Sequence, residues 1–331
     1  MPMLKFVLKR VAIGILLLLG VSLLIYALTL AMPVDYIDRQ TAALVQSGKL
    51  TVDDVMALKE LYGLADKSLP GILRGYTKWL GKVFTGDLGF SFLYGKPVTR
   101  VIGEHMWISF ALAFVAFFLQ VIIAIPLGIK AAVKQYSGFD YTTTAFAMAG
   151  TALPSFFLST LMIYLFSIKL RIFPVTGLIT ATKIQTGWPL FFDKVHHLIL
   201  PIIVVTLLSI GDLMRYQRTN MLEVLNSDYI RTARAKGVPE RTVIYKHTFR
   251  NTLIPLVTSL TFLLPGLFGG MMILETVFAI PGIGQLSLNA TTAGDIPYVM
   301  GYNMFLSILT VLGTIMGDIA YVLVDPRIKL R

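Results

Sequence analysis

The sequence predicts an all-α polytopic membrane protein with six transmembrane helices and both termini on the cytoplasmic side. Three observations lead there. The chain has 331 residues, 56% of them hydrophobic and only 14% charged, too little charge to cover a surface in water. Six apolar runs are long enough to cross about 30 Å of hydrocarbon at about 1.5 Å per helical residue. Lys and Arg divide unevenly between the loops, as they do across a membrane. The net charge of +11 is therefore read as sidedness, with the lipid bilayer as partner and no nucleic acid.

The first run is Val11 to Met32, behind Lys5, Lys9 and Arg10. It exceeds the roughly 7–15 apolar residues of a cleaved secretory signal and reads as an anchor. The others are Trp107 to Ile129, Thr142 to Ile168, His197 to Met214, Thr252 to Leu274 and Ile296 to Gly317. With the N-terminus inside, the inner segments hold 16 of the 29 Lys and Arg. Nine of the remaining 13 lie in one long outer loop, Pro33 to Arg100, and long loops cross the membrane largely regardless of charge. Two parts follow: residues 1–100, a first helix with a long extracytoplasmic loop, and residues 101–331, a core of five helices with a basic inner loop at about 215–250. The outer loop has a helical stretch from Val52 to Tyr62, then Gly81, Gly86, Gly89 and Gly95, which read as turns.

Several chemistries lack their residues. The chain has no cysteine, which excludes thiolate metal sites and cysteine nucleophiles. A phosphate-wrapping loop needs Gly-Lys followed by Ser or Thr, but Gly81-Lys82 is followed by Val83 and Gly95-Lys96 by Pro97. The adjacent His196 and His197 point about 100° apart on a helix and make a poor ligand pair, so no metal site is expected. Asp212, Glu275 and Asp318 fall near span ends, where an interfacial carboxylate or a pair with a nearby base is expected.

The inner loop is informative in itself. Ser227 or Asp228 can cap a short helix running through Arg231, Ala233 and Arg234. Gly237 suits the left-handed position that ends it, and Pro239 with Glu240 can open another helix. Ala233 and Gly237 share a face of small residues, with Arg231 and Arg234 beside it. That makes a knob suited to a socket in another protein, against the alternative of a basic segment resting on anionic lipid.

This loop resembles the EAA motif of ABC importer permeases, Glu-Ala-Ala, three residues, then Gly. Arg231-Thr232-Ala233 stand in the first three places and Gly237 in the last. Where the general pattern continues to Ile-x-Leu-Pro, this chain has His247, Phe249 and Arg250; Lys246-His247, Arg250-Asn251 and Leu253-Ile254-Pro255 instead resemble the dipeptide/oligopeptide form. Gly86-Asp87-Leu88-Gly89-Phe90-Ser91 with Pro97-Val98, Ile280-Pro281-Gly282-Ile283-Gly284, and Asp325-Pro326-Arg327-Ile328 are similar to the B-type subunit of those importers.

The resemblance implies a type I ABC importer permease fold in a bacterial or archaeal cytoplasmic membrane. It implies a second homologous permease subunit, two cytoplasmic ATPase subunits that bind ATP and Mg, and an extracytoplasmic solute-binding protein. This chain would be no enzyme and hold no cofactor. Asp228, Arg231, Ala233, Arg234 and Gly237 would form the ATPase-coupling helix. Gln120, Ser155, Ser159, Thr258 and Ser259 are candidates for lining the pathway, or for contacting a neighbouring helix. The cargo would be di- or oligopeptides, with nickel, glutathione or another small solute as the alternative. A secondary carrier or channel would show intramembrane ionisable groups or inverted repeats, and neither is visible.

Overall fold

A computed structural model describes residues 2–31, 36–61, 68–180 and 186–324. Its helices are α1 (Pro2–Leu30), α2 (Tyr36–Gln46), α3 (Val52–Leu61), α4 (Leu69–Phe84), α5 (Val98–Val133), α6 (Gly138–Ala152), α7 (Ser155–Met162) and α8 (Trp188–Leu225). They continue with α9 (Asp228–Ala235), α10 (Glu240–Thr242), α11 (Arg250–Leu263), α12 (Met272–Val277), α13 (Ile283–Ala293) and α14 (Ile296–Val324). π-Helical turns extend α7 over Ile163–Lys169 and join α10 to α11 over Val243–Phe249; a 3-10 turn, Leu264–Phe268, follows α11. Between α4 and α5 lies a two-stranded antiparallel hairpin, β1 (Phe90–Ser91) with β2 (Lys96–Pro97), so the chain is helical but not wholly so.

Among the described residues, five helical stretches are long and apolar enough to cross a membrane: Phe6–Leu30, Val98–Val133, Trp188–Leu225, Glu240–Phe268 and Ile296–Ile319. A sixth crossing exists only if the pair Gly138–Ala152 and Ser155–Lys169 counts as one span. The two halves meet at 103°, within the stretch Thr142 to Ile168 that reads in sequence as one span. Pro154 has no N–H to donate, and Leu153 before it is extended (φ −80°, ψ 130°), as the residue preceding a proline prefers. The fifth span likewise stops at Phe268, and Leu274 belongs to the separate helix α12.

Packing follows small residues. α8 lies along α5 and α6, and α14 packs on α1 and α11. At Gly128 of α5 an added Cβ would sit 2.7 Å from the Met214 carbonyl oxygen, and at Gly211 of α8 one would sit 2.4 Å from that of Ala147. Both backbones approach too closely for a side chain. The outward faces are apolar instead: Leu16, Leu24 and Leu28 of α1 are 62–70% exposed, the reverse of a protein whose solvent is water.

α5 defines two ends of the bundle. Its first turns, Val98, Val101 and Ile102, pack with Ile283, Leu286 and Tyr298. Its last turns, Ile129 and Ala132, pack with Met221, Leu225 and Phe249 near the basic loop. Gly81, expected in a turn, is helical because Tyr76, Trp79 and Val83 of α4 pack against Tyr26 and Leu30 of α1. That burial outweighs the ~1 kcal/mol a helical glycine costs. Gly86, Gly89 and Gly95 do have positive φ. Tyr62 and the stretch Asp325 to Ile328 lie outside the described residues.

Candidate functional site

The basic loop folds into a braced elbow. α8 ends at Leu225, and Ser227 occupies the N-cap position of α9 with extended backbone (φ −73°, ψ 152°). Its hydroxyl does not cap the new helix; it donates back to the Val224 carbonyl at 2.6 Å. The expected side-chain cap at Ser227 or Asp228 is thus not made. Asp228 still favours the helix start through its charge near the positive end of the helix dipole. Ile230 is fully buried and seats the helix, while the Asn251 amide donates to the Tyr229 hydroxyl at 3.2 Å.

The helix ends as its glycine predicts. Gly237 has φ +73°. Its N–H donates to the Arg234 carbonyl at 2.9 Å and the Val238 N–H to the Ala233 carbonyl at 3.2 Å, the paired bonds of a Schellman motif. Pro239 then opens the next helix, its carbonyl accepting from Thr242 and Val243. Across the elbow the Arg234 guanidinium donates to Glu240 twice, Nη2 to Oε1 at 2.6 Å and Nε to Oε2 at 3.1 Å. This forked hydrogen bond to Glu240 raises the Arg234 pKa above its ordinary value.

Of the expected coupling residues, Arg231 and Asp228 point outward, with side chains 72% and 98% exposed and 3.5 Å apart. Ala233 is half-buried and Gly237 exposed, with open space where a Cβ would stand. The elbow is an exposed knob of fixed shape, and it runs directly into the continuous helix Glu240–Phe268. Below it, Gln217 donates to Thr252 at 3.1 Å, and Arg218 holds Asp140 through two bonds of 2.7 Å. α6, α8 and α11 are thus tied together beneath the knob.

Of the expected pathway residues, Gln120 bonds to a neighbouring helix, whereas Ser159 and Ser259 bond within their own helices. The Gln120 amide donates to the Ser209 carbonyl at 2.8 Å. Ser159 is fully buried and donates to the Ser155 carbonyl at 2.7 Å, and Ser155 is half-buried. Ser259 donates to the Pro255 carbonyl at 3.0 Å. The Thr258 side chain lies outside the described residues. His196 and His197 meet the carbonyls of Ile172 and Asp193, and no metal-binding cluster of three His, Asp or Glu occurs among the described residues.

Two buried carboxylates organise the opposite end. Asp212 and Asp318 pair with Arg215 and Arg10 as expected, but Glu275 is fully buried and makes no ion pair among the described residues. Its Oε1 accepts from Ser109 at 2.6 Å and the Met271 N–H at 3.0 Å, and its Oε2 from the Gln285 N–H at 2.9 Å. Ser109 in turn accepts from the Ile283 N–H, and a Cβ on Gly282 would stand 2.5 Å from the carboxylate. The Pro281-Gly282 turn is wrapped around Glu275. Asp295, also fully buried, accepts from Ser91 at 2.5 Å and the Leu93 N–H at 3.0 Å, fastening the β1–β2 hairpin to the start of α14. The signal for Glu275 was an acid six residues before the Pro281-Gly282 turn; its partner Ser109 is remote in sequence.

Comparison with known proteins fits this arrangement. Residues 124–330 match the family described as binding-protein-dependent transport system inner membrane component. The oligopeptide transport system permease protein AppB of Bacillus subtilis is 36% identical, over 99% of this chain and 100% of its own. The dipeptide transport system permease protein DppB of Escherichia coli strain K12 is 31% identical, over 99% of both. The inward-facing MetNI methionine ABC transporter superposes with a TM-score of 0.51 at 20% identity, covering 68% of this chain and 97% of the matched one, which establishes the shared permease fold. The chain therefore belongs to the family of binding-protein-dependent transport system inner membrane components, the permease subunits of ABC importers.

Proposed function

We propose that this permease forms half of the translocation pathway of an ATP-driven importer of di- or oligopeptides. The supporting observation is similarity along almost the whole chain to permeases named for oligopeptide and dipeptide transport. Cargo follows from that likeness and not from any residue in the pathway. Nickel, glutathione or another small solute is the alternative, since a shared fold does not fix substrate.

In this reading six spans cross the bacterial cytoplasmic membrane, the bent α6–α7 pair counting as one, with both termini in the cytosol. Residues 1–100 form the first span and the extracytoplasmic loop; residues 101–331 form the core. A second homologous permease supplies the other half of the pathway. Two cytoplasmic ATPases bind ATP and Mg, and an extracytoplasmic binding protein delivers the cargo.

Asp228, Arg231, Ala233, Arg234 and Gly237 form the coupling helix. ATPase closure moves the elbow. Arg234–Glu240 and the buried Ile230 keep the elbow from deforming, and the motion passes into Glu240–Phe268 and, through Arg218–Asp140, into α6. A two-state switch needs such discrete packed elements rather than soft ones. Gln120, Ser155, Ser159, Thr258 and Ser259 remain the pathway candidates, with Gln120 bonded to α8 and Ser159 and Ser259 bonded within their own helices in this conformation. Affinity purification of the tagged chain in mild detergent tests the reading. An ATPase and a second permease copurify if it holds, and solute movement by the lone chain in nucleotide-free vesicles contradicts it.

A further inference from the structure

A groove of about 520 Å³ opens at the elbow end of the bundle, between the last turns of α5 and the π-helical turn Val243–Phe249. Its two lining stripes follow helix spacing. Ile125, Ile129 and Val133 stand four residues apart and form an apolar wall, and Ile244 and Phe249 face them. Pro126, Lys130 and Lys134 run beside that wall one residue on. The groove is thus greasy along its length and cationic at one end.

The two ammonium groups are available. Lys130 and Lys134 are exposed. Lys130 Nζ lies 4.4 Å from the centroid of the Phe139 ring, which holds it at the rim. Asp140, the acid beside that ring, is committed to Arg218. An apolar slot that turns cationic where a membrane-spanning helix ends matches one chemistry, an acyl chain below an anionic headgroup. The geometry points to a binding site for an anionic phospholipid, its phosphate on Lys130 and Lys134 and its chain along Ile125, Ile129 and Val133, next to the coupling elbow. The site does not depend on the cargo.

The test uses the purified complete transporter, stripped of lipid and titrated with phosphatidylglycerol or phosphatidylcholine under native mass spectrometry. Preferential retention of phosphatidylglycerol is expected. K130Q/K134Q lowers it by about thirtyfold, the order that two basic side chains contribute at an anionic surface. V133W fills the slot without changing charge and lowers retention of the lipid as well. Equal retention of both lipids, or undiminished phosphatidylglycerol retention in both variants, overturns the proposal. So does cross-linking of V133C, a single cysteine in a chain that has none, to another protein chain of the complex, because the groove is then a subunit interface. None of these readouts involves transport, so their failure is separate from failure of the importer reading.

Discussion

Arg234 and Glu240, six residues apart, close a fork across the Gly237 turn with bonds of 2.6 and 3.1 Å. The pair joins the end of one helix to the start of the next, so the elbow between them has a defined angle. Both side chains are about half exposed, 43% and 55%. Such a pair adds only about 0.2–1 kcal/mol to stability. Its consequence is stiffness where a partner would push.

Opening this fork is expected to cost coupling rather than folding. R234A or E240A leaves thermal stability and membrane insertion near wild type, while cargo uptake per ATP hydrolysed falls several-fold. The exchanged pair R234E/E240R restores part of it. Uptake and ATPase activity measured side by side in proteoliposomes of the whole transporter check this.

Gly237 supplies the left-handed turn at φ +73°. Any side chain there pays about 1–2 kcal/mol for that backbone conformation, although open space surrounds it. G237D is expected to leave the spans inserted and to uncouple hydrolysis from transport; normal uptake by the mutant counts against the docking role. G237N, which tolerates the left-handed region better, retains more uptake than G237V.

Glu275 gathers the Ser109 hydroxyl and two backbone N–H groups inside the protein. E275L leaves those donors unsatisfied, at about 1–3 kcal/mol for each buried group, so the Pro281-Gly282 turn loosens. The expected outcome is a melting temperature lowered by several degrees and poor yield in detergent. E275Q is milder, since the amide oxygen replaces one acceptor. Thermal unfolding followed by tryptophan fluorescence distinguishes the two.

Asp140 is buried and receives both bonds of Arg218. Removing one partner of such a pair costs about 3–5 kcal/mol, and removing both costs less. D140N or R218M is therefore expected to destabilise more than the double variant. A double-mutant cycle on melting temperature checks the coupling.

Local features of this architecture were legible in the sequence. The apolar runs mark their helices because lipid demands them residue by residue, and Gly237 with Pro239 marks the elbow because those two residues restrict their own backbone. Tertiary features were not. Pro154 permits a bend, but the 103° between the halves is not specified by a proline alone. Glu275 looks like an interfacial acid because Ser109, its hydroxyl partner, is 166 residues away. Gly81 looks like a turn until Trp79 and Tyr76 are seen against α1. Candidate pathway polarity at Gln120 and Ser159 cannot be told from helix bonding by composition alone, since both uses need the same groups.

In the proposed mechanism a cytosolic ATPase holds and moves the Arg231–Gly237 knob. Site-directed disulfide cross-linking tests it most directly, because the chain has no cysteine of its own. R231C is expected to cross-link to a cysteine placed in the ATPase cleft, blocking uptake until reductant is added. Labelling of R231C in intact cells by a membrane-impermeant thiol reagent from the outer face, with no ATPase cross-link, would contradict the account.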